Sequence, residues 1–273
     1  MDKYQLFQQL HLRTGAFVIP NPWDAGSDRI LAALGYEALA TTSAGLAFSI
    51  GQQDSAACIS REAILQNAQD IVNATNLPVS ADLENGFGAD PESCVMTISL
   101  AAKTGLVGGS IEDATGDPNN PIFDFNLAVE RIAAAVEESR KHPFMLTARA
   151  ENFLHGKHDL DDTILRLQAF EKAGADVLYA PGLPDIAAIR TVCASVTQPV
   201  NVVMGLSGPT YSVSELEQAG VKRISVGGSF ARAALGGLMR AAREVKDHGT
   251  FTYAKDALSS SDSEKYIFTP PKN

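Results

Sequence analysis

The chain has 273 residues, 45% hydrophobic and 20% charged, which is enough for one sizeable core in a single large α/β domain. Its net charge of −10 and lack of any basic cluster exclude nucleic acid as a partner, and no apolar run approaches the roughly 18–20 residues of a membrane span. Cys58, Cys94 and Cys193 lie outside any CxxC pattern and read as reduced thiols; "MDKYQLFQQLHLRTG" lacks the basic-then-apolar form of a signal peptide, so a cytoplasmic protein acting on a small molecule is expected.

In chain order, short β-branched or apolar runs predict eight strands: 16–20, 38–42, 78–82, 108–112, 144–149, 177–180, 200–204 and 223–226. Helical patterns fall between and after them, at 24–35, 60–75, 90–105, 124–141, 159–174, 183–195, 212–220 and 229–249. Start and stop signals support these spans. Asp90-Pro91 places proline at a first helical position, and Gly35, Gly105, Gly174 and Gly220 each follow a helical run. Regular alternation implies right-handed βαβ units and a parallel sheet. Eight units in this length favour a closed (β/α)8 TIM barrel over an open doubly wound sheet, and no GxGxxG follows the first strand. The barrel domain is expected over 1–246, with 247–273 as an extension packed on the barrel or on a neighbouring subunit.

Active sites of such barrels lie at the C-terminal ends of the strands. There the sequence places Asp24 after strand one, "TTSAG" (41–45) after strand two, and Asp82, Glu84 and Asn85 after strand three. Glu112-Asp113 ends strand four, Arg149 and Glu151-Asn152 strand five, and Tyr179 strand six. Met204-Gly205 and Ser207 follow strand seven, and Gly227-Gly228-Ser229 strand eight. Asp82, Glu84 and Glu112 together form a hard oxygen donor set suited to Mg2+ or Mn2+. Taken singly, each also fits a strand-end cap or a salt bridge. An EF-hand fails, because Ser93 stands where the twelfth-position glutamate belongs. Arg149, ending the apolar "FMLTAR", suits a substrate carboxylate or a structural pairing with Glu112 or Glu151. "TTSAG" lets backbone N–H groups approach an anion, or is only a tight loop. "VGGS" (226–229) suits a phosphate or close packing. The histidines, His11, His142, His155, His158 and His248, end no strand and read as surface residues, with His155 or His158 able to swing in from the loop after strand five. No GxSxG elbow and no strand-end lysine is present, which leaves metal-assisted chemistry on a small anion.

These motifs resemble the isocitrate lyase/phosphoenolpyruvate mutase superfamily. "VSADLENGFG" is similar to its metal block, "GGSIEDATG" to its I-E-D block, "LTARAENFL" to its A-R-T-D/E block, and "ATTSAGLAFSIGQQD" to its strand-two carboxylate-binding segment. The resemblance implies a Mg2+-dependent barrel acting on a 2-oxo acid or related carboxylate through a metal-stabilised enolate. Asp82, Glu84, Glu112 and Asp54 would form the metal shell. Asp82, Glu112 and Arg149 would be the catalytic set, and Thr42, Ser43, Ala44, Asp82 and Arg149 would bind substrate. It also implies a homotetramer whose last helix is exchanged between subunits.

The chain departs from the superfamily at three places. The K-K-C-G-H loop of the lyases is replaced by "DATGDPNNPIFD" (113–124), strand six ends in "YAPG", and the Thr-Glu pair after strand seven is replaced by "MGLSG". The leading expectation is a lyase, hydrolase or decarboxylase that cleaves a C–C bond of a small 2-oxo or 2-hydroxy carboxylate. The alternatives are a P–C bond enzyme (phosphonomutase or phosphonopyruvate hydrolase) and a non-catalytic 2-oxo acid binder.

Overall fold

A computed structural model describes residues 1–54, 58–205 and 208–268. Its elements run α1 (Lys3–Leu12), β1 (Phe17–Ile19), α2 (Ala25–Ala33), β2 (Leu39–Ala40), α3 (Ser43–Ser49), α4 (Arg61–Ala74), β3 (Val79–Asp82), α5 (Pro91–Lys103), β4 (Gly108–Glu112), α6 (Phe125–Ser139) and β5 (Met145–Arg149). They continue as α7 (Leu160–Ala173), β6 (Val177–Tyr179), α8 (Ile186–Ser195), β7 (Val200–Val203), α9 (Val213–Gln218), β8 (Arg223–Ser225), α10 (Ser229–His248) and α11 (Ser260–Ser263). All pairings are parallel, in the order β1-β8-β7-β6-β5-β4-β3-β2. The seam between β1 and β2 is bridged by the Ala40 N–H donating to Pro20 O at 3.0 Å. The sheet is thus the wall of a (β/α)8 barrel, as the alternation predicts.

Local chemistry sets the helix boundaries. Asp24, Ser60, Asp90, Asp159, Asp185 and Ser212 each cap the helix that follows, accepting a hydrogen bond from a first-turn N–H. Asp24 is therefore spent as the cap of α2, and it lies off the site that its position after strand one suggested. Gly174 ends α7 in the left-handed region, at φ 104°. In β4 a Cβ on Gly109 would stand 2.6 Å from Leu83 and 2.9 Å from Phe144, so only glycine lets these side chains close over the strand. The main core lies between barrel and helices, with Ile71, Leu83, Ile98, Ile132, Leu146 and Phe170 fully buried.

Three differences from the sequence reading stand out. Helix α1, opened by a capping box of Asp2 and Gln5, covers the N-terminal mouth of the barrel and packs Phe7 and Leu10 on Phe17, Met145 and Val177. His11 is buried with them rather than solvated. Its ring sits edge-on to Phe7 and Phe17, Nδ1 lies 2.8 Å from Phe7 O, and burial pushes its pKa down to about 3. Finally, "TTSAG" is not a loop but the cap and first turn of α3, with Thr42 Oγ1 accepting from the Gly45 N–H.

Candidate active site

A cavity of about 830 Å3 opens at the C-terminal ends of the strands. It is lined by Thr42, Ser43, Ala44, Asp54, Asp82, Glu84, Glu112 and Arg149, so every side chain singled out as catalytic, substrate-binding or metal-binding borders one space. At its centre the Arg149 guanidinium is surrounded by acids. Nη1 lies 3.1 Å from Asp82 Oδ1, Nη2 3.0 Å from Glu112 Oε2, and Nε 2.9 Å from Glu151 Oε1. The Tyr179 ring packs against the same guanidinium, 5.1 Å from its centroid. Three of five N–H donors are engaged with carboxylates, so Arg149 first organises the acids.

The electrostatics are out of balance. Burial raises the Glu112 carboxyl well above its ordinary range. Arg149 opposes this, and Glu151, Asp82 and Glu84 add to it. Burial alone would lower the Arg149 pKa, but Glu151, Glu112 and Asp82 more than reverse it. Asp54, at the rim, is raised by partial burial and by Asp82, against Arg149. One guanidinium therefore faces more carboxylates than it can neutralise, which is the condition that favours a further cation. Among the described residues no three acidic, histidine or cysteine side chains close into a preformed cage, because Arg149 draws Asp82 and Glu112 to itself. The donor set suits Mg2+, which keeps several waters and needs only one or two direct carboxylates.

The turn after β3 is held rather than loose. Glu84 and Phe87 adopt φ 47° and 62°, a region unfavourable for residues with a Cβ. Fixed bonds over-determine that conformation. The Glu84 N–H donates to Asp82 Oδ1 at 3.3 Å, Glu84 O accepts from the Glu112 N–H at 3.0 Å, and Thr97 Oγ1 donates to Gly86 O at 2.8 Å. Asp82 also accepts from Ser43 Oγ at 2.9 Å, which ties the strand-two and strand-three ends together.

Further side chains hold the site together, and two of them, Arg131 and Arg166, are hidden from a reading of strand ends because they lie inside helices. Arg131, on α6, is buried and donates to Asn85 O and to Gly88 O, clamping the turn that carries Glu84. Arg166, on α7, pairs with Asp113 Oδ2 at 2.9 Å, while Asp113 Oδ1 accepts from the Glu151 N–H at 2.8 Å. Burial raises the Asp113 pKa to about 6, and Arg166 opposes the shift. Asn21 ties the first, second and last strands by donating to Thr41 O and accepting from the N–H groups of Val226 and Gly227. Segment 113–124 closes on itself by a bridge between Ala114 and Ile122 and borders the cavity through Gly116, Asp117 and Pro118. His155 borders it too, from an exposed loop. Ser207 lies outside the described residues.

The phosphoenolpyruvate phosphomutase family profile matches residues 7–246. The chain belongs to this family, within the isocitrate lyase/PEP mutase superfamily of lyase-type enzymes. A solved structure from Burkholderia cenocepacia J2315, a candidate lyase/mutase, is 56% identical, with a TM-score of 0.95 over 99% of this chain and 98% of that one. The 2-methylisocitrate lyase of Escherichia coli K12 is 29% identical over 196 residues, covering 68% of this chain and 65% of that protein. A phosphonopyruvate hydrolase solved with oxalate and Mg++ shares the fold, with a TM-score of 0.87 at 18% identity, over 97% of this chain and 95% of that one. Among the described residues no helix is long and apolar enough to cross a membrane.

Proposed function

We propose that this family member is a Mg2+- or Mn2+-dependent lyase, hydrolase or decarboxylase that cleaves a C–C bond of a small 2-oxo or 2-hydroxy carboxylate. The observation that carries this reading is the excess of carboxylates around Arg149. Asp82 and Glu112, with Glu84 and Asp54 beside them, would hold the cation. When bound, the cation stabilises negative charge developing on the substrate oxygen next to the broken bond. Arg149 orients the acids and directs its remaining donors at the substrate carboxylate. Ser43 fixes Asp82, and the Thr42–Ala44 turn borders the same space. Segment 113–124 borders that space through Gly116, Asp117 and Pro118 and would supply its contacts to the reacting end of the substrate.

A P–C bond reaction is the second reading, favoured by the family profile itself. Turnover of oxaloacetate, substituted malates and phosphonopyruvate, each with Mg2+ and with EDTA, tests both. Metal-dependent turnover of a C–C substrate supports the first reading, and metal-dependent turnover of phosphonopyruvate alone replaces it with the second. Tight oxalate binding without turnover of any of them would make the chain a non-catalytic binder.

We further infer a homo-oligomer. Helix α10 buries only Ala231 of its 20 residues and exposes Leu235, Leu238 and Met239, a face that a second copy would cover. The segment from residue 247 would be an extension of the 1–246 barrel domain, with Arg29 Nη1 donating to Ile267 O at 3.0 Å. Light scattering that finds a monomer would reject the oligomer.

A further inference from the structure

Barrel interiors of this type are normally filled by layers of branched apolar side chains. Beneath Arg149 this one is polar. Ser80, Ser110, Asn201, Arg223 and Ser225 all border the same cavity, so it extends below the carboxylates towards the starts of the strands. Arg223 is the first residue of β8 and is buried at 6% exposure. Its Nε donates to Asn201 Oδ1 at 2.8 Å and its Nη2 to Thr147 Oγ1 at 3.0 Å, both neutral partners. Asn201 in turn donates through Nδ2 to Ser225 Oγ at 3.0 Å, which fixes its oxygen towards the guanidinium. Among the described residues no carboxylate forms an ion pair with Arg223, although three reach Arg149 in the same barrel. Burial lowers its pKa to about 10, so it stays charged at neutral pH. A buried guanidinium held by neutral groups at the base of an open cavity lacks a counter-anion, and bidentate oxyanions are the ligands that fit its fork.

We propose that Arg223, with Asn201 and Ser225, binds a second carboxylate of the substrate, so that the preferred substrates are dicarboxylates with one acid group at Arg149 and the other on the β7–β8 side of the cavity floor. This rests on the reading of the upper site as a metal-assisted carboxylate site. A separate small inorganic anion beside a monocarboxylate would have the same chemistry, and the experiment separates the two.

Dissociation constants are measured by calorimetry with Mg2+ for oxalate and for 2-oxo acids that differ only in the second carboxylate: 2-oxobutyrate against oxaloacetate, and 2-oxovalerate against 2-oxoglutarate. The dicarboxylate of at least one pair is expected to bind about 10-fold or more tighter in the wild type. In Arg223→Met that advantage falls to within about 3-fold, and Arg223→Lys, which keeps a charge without the fork, lies between. Equal affinities within both pairs in the wild type overturn the inference without any need for a variant to fold. So does inorganic phosphate that tightens monocarboxylate binding while the dicarboxylates show no advantage. If oxalate itself fails to bind with Mg2+, the reading of the upper site falls, and this one with it.

Discussion

Two guanidinium groups share one barrel and live under opposite conditions. Arg149, at the end of β5, has three carboxylates within 3.1 Å, whereas Arg223, at the start of β8, is held by an asparagine and a threonine. The first half of the cavity is therefore short of positive charge and the second short of negative charge. A burial penalty of the same kind acts on both. What differs is what each half lacks: a cation above, an anion below. A substrate that brings a carboxylate and shares a divalent cation satisfies both at once.

The largest expected effect comes from removing the Arg149 guanidinium. Arg149→Met leaves Asp82, Glu112 and Glu151 facing one another, and should lower stability by about 3–5 kcal/mol in urea unfolding and reduce turnover by about 10^3-fold or more. Added Mg2+ should recover part of the lost stability, and its failure to do so would break the idea that the acids want a cation. Next is Arg131→Met, which frees the turn carrying Glu84 without touching the cavity. It should weaken Mg2+ affinity by about 10–100-fold, measured by calorimetry, in the way that outer-shell changes do at metal sites.

A third buried group has charges nearby but no hydrogen-bond partner. Asp28, on α2, is fully buried with no hydrogen bond to either oxygen, and burial raises its pKa to about 7, against the pull of Lys3 and Arg29. Its folded-state pKa lies above its unfolded one, so the folded state binds the extra proton. Stability from this group is present below about pH 4 and is lost as pH rises through about 7. Asp28→Asn should remove that loss and raise stability at pH 8 by about 2–4 kcal/mol, read from unfolding curves at pH 5 and pH 8. A variant with the pH slope of the wild type would show that Asp28 is solvated after all.

Much of this was legible in the sequence, and the reasons are local. Alternating apolar runs and capped helices carry the barrel, because each βα unit announces itself by period and by a glycine or an Asp/Ser cap. The acids of β3 to β5 were legible because they interrupt apolar strands at their ends. Helix α1 is not legible, because the apolar residues of "KYQLFQQLHL" form only a weak stripe and its role as a cover exists only once the barrel mouth is formed. Arg149 reads as a substrate ligand or as a partner of Glu112 or Glu151; what the sequence does not show is that both of these acids, and Asp82 as well, reach it at once. Arg223 is not legible as a site residue because it begins a strand, whereas the acids that stand out end theirs. Arg131 and Arg166 lie within helical patterns that read as ordinary amphipathic surface.

Whether the acids around Arg149 hold a divalent cation is tested by calorimetric titration of oxalate into the wild-type protein and Asp82→Asn, each with Mg2+ and with EDTA. The carboxylate-rich half predicts binding by the wild type only when Mg2+ is present, and a loss of about 100-fold or more in the variant. Oxalate binding of equal strength in EDTA, undiminished by Asp82→Asn, would contradict it.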